Sequence, residues 1–149
     1  MYNISGVGTV IFEGHGGDAH IDVVEGAHQF QAVVSLGNDT DVEVRHSALL
    51  SFNNELDLDG NTLLKSGLGT LEINNRLSSG DGSIVALAGT IAGSGTIGGD
   101  VDNSGGTISP GNSPDVLEVE GDTVVPEPAG CVLMFLATCL TSAVARRRG

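Results

Sequence analysis

Short runs that alternate apolar and acidic residues, each broken by Gly, Asn or Asp, constrain this chain more than any other feature. Ile21-Asp22-Val23, Asp41-Val42-Glu43-Val44, Leu56-Asp57-Leu58-Asp59, Leu71-Glu72-Ile73 and Val116-Leu117-Glu118-Val119-Glu120 all have period two. That period places apolar side chains on one face of an extended strand and carboxylates on the other. The runs end at Gly37-Asn38-Asp39, Asp59-Gly60-Asn61, Asn74-Asn75 and Gly98-Gly99-Asp100, residue types that tolerate the positive φ of a tight corner. So short an apolar face cannot bury itself, so neighbouring units must stack and share a narrow core of Val, Ile, Leu and Ala. The expected class is all-β, and within it a short parallel β-helix or solenoid. A β-sandwich uses the same strands; recurring Gly-x-Gly-Thr corners and the lack of hairpin turn pairs favour the solenoid.

Three nearly identical hexapeptides reinforce this: Ser5-Gly6-Val7-Gly8-Thr9-Val10, Ser66-Gly67-Leu68-Gly69-Thr70-Leu71 and Ala92-Gly93-Ser94-Gly95-Thr96-Ile97. Their separations, 61 and then 26 residues, fit about two turns and then one turn of a coil with roughly 20 to 30 residues per turn.

Charge divides the chain in two. All 19 acids lie at or before Glu127, and residues 1–128 set only Arg45, Lys65 and Arg76 against them, a formal charge of −16. Nucleic acids and anionic lipids are bound through Lys and Arg, so this body is not expected to bind either. The 23 glycines and 3% aromatic content argue against an aromatic-rich interior. Cys131 and Cys139 both fall in the apolar stretch near the end, and on a helix they stand roughly 12 Å apart, too far to bridge.

The decapeptide Leu64-Lys65-Ser66-Gly67-Leu68-Gly69-Thr70-Leu71-Glu72-Ile73 resembles the autotransporter-associated β-strand repeat, and residues 89–122 resemble the last repeats of passenger domains in large secreted bacterial proteins. This resemblance implies a right-handed parallel β-helix for residues 1–122, although here with few turns and no translocating barrel.

The segment 123–128 reads as a linker that ends in Pro126-Glu127-Pro128, whose prolines bar a helix from continuing upstream. Residues 129–145 follow, 17 positions without a charge, and then Arg146-Arg147-Arg148. As a helix the uncharged stretch spans about 26 Å against a hydrocarbon core of about 30 Å, a short membrane span. The arginines should stay on the cytoplasmic side and place the acidic body outside. In this order the three features resemble the PEP-CTERM sorting signal of Gram-negative bacteria. That resemblance implies recognition of Pro126, Glu127 and Pro128 by an exosortase-type processing enzyme, with Arg146, Arg147 and Arg148 as the basic retention signal. It also implies a precursor in the inner membrane and a product at the cell surface or outside the cell. The start, Met1-Tyr2-Asn3-Ile4-Ser5, shows no basic and apolar leader, so a longer precursor is expected.

Candidate chemistry is sparse. His15, His20, His28 and His46 fit no standard zinc spacing, and the His15-to-His20 stretch with Asp18 is expected to be solvated loop. Glu55-Leu56-Asp57-Leu58-Asp59-Gly60-Asn61 has the alternate acids and sixth-position Gly of a calcium loop, but Ser66 stands where the bidentate Glu belongs. A strand that turns Leu56 and Leu58 inward, with its corner at Asp59-Gly60, accounts for the same residues. There is no Gly-x-Ser-x-Gly elbow and no cysteine outside the apolar stretch, so catalytic, cofactor and metal residues are none. The expected role is an exported structural or adhesive surface or matrix protein, not an enzyme, whose partners are the membrane through 129–145, the processing enzyme and, through the body, its own copies or a polysaccharide. The alternatives are a polysaccharide-binding or -degrading β-helix, whose sugar-stacking aromatics this body mostly lacks, and a degenerate fragment without an independent role.

Overall fold

The computed structural model describes residues 1–111 and 116–125, and among these every regular element is a β-strand. The strands follow one another as coils of three. The first coil holds β1 (Tyr2–Ile4), β2 (Thr9–Phe12) and β3 (Ala19–Val23). The second holds β4 (Ala27–Phe30), β5 (Val33–Leu36) and β6 (Thr40–Val44), and the third β7 (Leu49–Phe52), β8 (Leu56–Asp57) and β9 (Thr62–Ser66). Next come β10 (Thr70–Ile73), β11 (Arg76–Ser78) and β12 (Ser83–Ala86), then β13 (Thr90–Gly93), β14 (Thr96–Ile97) and β15 (Asp100–Asn103). The last coil is β16 (Thr107–Pro110), β17 (Glu118–Val119) and β18 (Thr123–Val124). Every third strand pairs in parallel, giving three six-stranded sheets: A from β1 to β16, B from β2 to β17, and C from β3 to β18. Six strands in each sheet make about five full turns of a parallel β-solenoid.

Register turns the sequence alternation into continuous inward columns. In sheet A, Leu50 faces Leu71, Ile91 and Ile108 in successive coils. In sheet B, Val10, Val34, Leu56, Leu77, Ile97 and Val119 stack in the same way. Sheet C contributes Leu63, Ile84 and Val101. Most of these side chains in the middle coils are fully buried in one continuous core. The interior is more aromatic at one end than the composition suggests. Phe30 and Phe52 stack at 5.2 Å, and Phe12 meets Phe30 edge-on at 5.7 Å from sheet B. Three of the chain's four phenylalanines thus pack together in the first three coils.

The acids of each alternating run point outward, and polar side chains secure the corners from coil to coil. Asn74 donates to Asn53 at 2.8 Å, and Asn53 to Gln29 at 3.0 Å, a ladder along the turn between sheets A and B. One position further on, Asn54 and Asn75 each accept the next backbone N–H, at 2.8 and 2.7 Å. The Asp59-Gly60 corner has positive φ at both residues, 48° and 80°, as its sequence requires.

The three hexapeptides do not mark one corner. Thr9 and Thr96 open strands of sheet B, whereas Thr70 opens a strand of sheet A, so the separations of 61 and 26 residues are not whole turns. The true repeat shrinks along the chain, starting within the expected range of roughly 20 to 30 residues per turn and falling below it in the last coil. Tyr2 faces His28, Leu49 faces Thr70, Thr70 faces Thr90 and Thr90 faces Thr107, offsets of 26, 21, 20 and 17 residues. The in-register signal is the Gly-Thr pair before sheet A, at Gly69-Thr70, Gly89-Thr90 and Gly106-Thr107. Strand β18 lies within the 123–128 segment read as linker, and the expected membrane helix at 129–145 falls outside the described residues.

Close coil stacking makes some glycines irreplaceable. Gly93 continues the inward column of Phe30, Phe52 and Ile73 at φ 138°, and a Cβ there would collide with the Ile73 carbonyl. Gly8, in the first loop, has open space around it. Gly93→Ala should lower stability by about 2–3 kcal/mol, and Gly8→Ala should leave it within about 0.5 kcal/mol, in urea unfolding followed by far-UV circular dichroism.

Candidate functional site

The outward face of sheet C collects the densest chemistry. One column runs His20, Asp41, Leu64, Val85 and Asp102, and beside it runs Asp22, Glu43 and Ser66. Strand alternation puts all of these on the side away from the core. On the first two coils, His20, Asp22 and Glu43 bring one possible ligand atom each within 4.8 Å of one another. Arg45 already reaches into this trio: its Nη2 donates to Asp22 at 2.7 Å, and its Nε stands 3.5 Å from Glu43. His20 Nδ1 lies 3.5 Å from Asp41, which also accepts from the Ser66 hydroxyl at 2.9 Å. The chain therefore supplies its own positive charge among these carboxylates, and the arrangement ties three consecutive coils together on the outside.

Lys65, one of the three cations set against the acids of the body, is fully buried. In β9 it has the parity of Leu63, and its inward column runs from Val42 through Lys65 and Ala86 to Asn103. Alternation along Thr62-Leu63-Leu64-Lys65 was the available signal. The ammonium lies at the corner between sheets C and A. There it donates to the carbonyls of Ser66 at 2.6 Å, Gly67 at 2.8 Å and Ala88 at 3.2 Å. Two consecutive corners are joined through one side chain. Two coils further on, Asn103 does a related job, accepting from Gly106 N–H at 2.9 Å. Burial lowers the Lys65 pKa from 10.5 to about 8, with the Asp41 charge pulling partly the other way.

Of the residues singled out from sequence, His20 joins a cluster, with Asp22 and Glu43 rather than with His15 and Asp18. His28 instead accepts from Tyr2 N–H at 3.3 Å and stacks on the Tyr2 ring at 5.3 Å. The calcium-like run is a strand and corner: Leu56 and Leu58 are fully buried, and Asp57 accepts the Asp59 N–H at 3.0 Å. Pro126, Glu127, Pro128, Arg146, Arg147 and Arg148, with Cys131 and Cys139, lie outside the described residues. Among the described residues no helix is long and apolar enough to cross a membrane.

The architecture defines the class as a parallel β-solenoid. The chain matches no family model, no curated protein and no solved structure.

Lys65 gives stability a specific pH dependence. Between about pH 8 and 10.5 the unfolded chain holds a proton on Lys65 that the folded chain has lost. Stability should therefore rise with pH across that window, by on the order of 3 kcal/mol, while below it the burial penalty is present in full. Lys65→Met should abolish the rise, and Lys65→Ala, which also leaves a cavity and three unpaired carbonyls, should cost about 2–4 kcal/mol at neutral pH. Urea titrations at a series of pH values check both. A flat profile in the native protein would mean that the three carbonyls stabilise the ammonium as much as burial penalises it.

Proposed function

We propose that this chain is an exported structural or adhesive repeat protein of a bacterial cell surface or matrix, delivered by its C-terminal segment. The observation that carries the reading is the order of Pro126-Glu127-Pro128, the 17 uncharged residues 129–145 and Arg146-Arg147-Arg148, which directly follows the solenoid. A body whose outward columns carry Asp22, Asp41, Glu43, Glu72 and Asp102 supports it, because such a surface stays hydrated and repels other polyanions. A solenoid also suits a spacer: length grows with each coil, and every coil is held by the next. In this reading the apolar segment enters the inner membrane with the arginines inside, the body lies outside, and a processing enzyme acts at Pro126 to Pro128.

The test is intact mass and cell fractionation in a host that carries an exosortase, with an export signal supplied upstream. The native chain should lose the mass of its C-terminal segment and leave the inner membrane. A variant with Pro126, Glu127 and Pro128 all changed to alanine should keep that mass and stay there. Native protein found uncut in the cytoplasm despite the export signal would overturn the reading.

A further inference from the structure

The outward face of sheet C carries an imidazole among its carboxylates, and the way that imidazole is held sets the group apart from a plain acidic patch. His20 and Asp22 stand two residues apart on β3, and Asp41 and Glu43 stand opposite them on β6. Parallel neighbours lie about 4.8 Å apart and all four side chains leave the same face, so the register builds a square of chelating groups. Three of them, His20, Asp22 and Glu43, already bring one nitrogen or oxygen each within 4.8 Å of one another. The fourth, Asp41, stands 3.5 Å from His20 Nδ1 and is itself held by the Ser66 hydroxyl at 2.9 Å. A carboxylate beside one ring nitrogen, fixed in turn by a further residue, is the outer support that metal-binding histidines use. It favours the tautomer with the proton on Nδ1 and leaves the Nε2 lone pair for an ion. The group does not depend on the edge of the first coil. Strand pairing engages backbone groups in the plane of the sheet, and these side chains leave it roughly at right angles.

Arg45 narrows the kind of ligand that fits. Its guanidinium meets both Asp22 and Glu43, so one positive charge already bridges two carboxylates from different coils. The Arg45 side chain is 48% exposed and can swing into water without opening the core. A divalent ion in its place doubles the charge set between the carboxylates, and the formal charge of −16 on residues 1–128 draws cations to the surface. One imidazole and two carboxylates suit a borderline ion such as zinc, which takes nitrogen and oxygen ligands at about 2.0–2.2 Å. Around such an ion the ligand atoms stand roughly 3.4 Å apart, a closure that rotation of surface side chains supplies. Calcium fits badly, because it needs about six to eight oxygens.

We infer that His20, Asp22 and Glu43 form a site for zinc or a similar borderline divalent ion, with Asp41 as the positioning residue for His20 and Arg45 as the charge that the ion displaces. The bound ion fastens the first two coils together on their outside.

The test is calorimetric titration of the full chain in neutral detergent, with zinc chloride and separately with calcium chloride. Cys131 and Cys139 are changed to serine in every sample, so that no thiolate competes. One zinc should bind per chain, and calcium should bind more weakly by about tenfold or more. His20→Ala should remove the binding, and Asp41→Asn should weaken it by about tenfold. Arg45→Gln should tighten it by about tenfold, since the competing charge is gone, whereas His46→Ala should change nothing. A native chain that binds no zinc overturns the proposal. So does binding that survives His20→Ala or that Arg45→Gln leaves unchanged, either of which would mark adventitious zinc on surface acids. Nitrogen NMR of the histidine rings needs no variant at the site: zinc should move the His20 Nε2 signal while Nδ1 keeps its proton. A His20 ring unmoved by saturating zinc overturns the proposal even if His20→Ala fails to fold.

Discussion

Parallel pairing of each coil with the next, in register, is the constraint on which the rest of this molecule depends. No sheet is local: Leu49 hydrogen-bonds beside Thr70, and neither has a strand partner within its own coil. A parallel ladder needs a crossover of a dozen or more residues, and here the other two strands of the coil provide it. Register then dictates chemistry, since a slip of one residue would turn every outward carboxylate into the core. The alternation seen in each short run, with Leu71 and Ile73 inward and Glu72 outward, is the consequence.

Polar groups inside the coil are placed where corners leave backbone carbonyls without strand partners. Lys65 and Asn103 occupy the same inward column two coils apart and serve the same turn with opposite chemistry, one donating to carbonyls and the other accepting from an amide. Among the described residues no buried side-chain nitrogen or oxygen lacks a partner. That matters in so narrow a core, where water has no room to substitute for a missing bond.

Fold class was legible in the sequence because period-two alternation and corner residues are local signals. Leu56-Asp57-Leu58-Asp59-Gly60 shows both within five residues, and the structure follows it. The phase of the coils was not legible in the same way. The repeated hexapeptides gave the wrong spacing, because Gly-x-Gly-Thr suits any tight entry into a strand and so recurs before two different sheets. In the sequence Lys65 stands with Arg45 and Arg76 as a charge against the acids. Its inward position follows from parity with Leu63, but its tolerance of burial depends on the carbonyl of Ala88, 23 residues away. The cluster of His20, Asp22, Glu43 and Arg45 was invisible for a similar reason, since it needs the register between β3 and β6.

The hidden lysine has one more consequence, for exposure to proteases. In the described body an enzyme that cuts after basic residues finds only three cleavage points. One is sealed in the core. Another, Arg45, holds its guanidinium against Asp22 beside a tight corner. Arg76 lies in a strand paired on both sides, with β8 and β14. Cleavage requires a segment to leave its strand and lie extended in the enzyme, and here each such segment is fastened to the coils above and below. A body so poor in basic residues offers trypsin-like proteases few points of attack, and the fold ties down the segments that hold them.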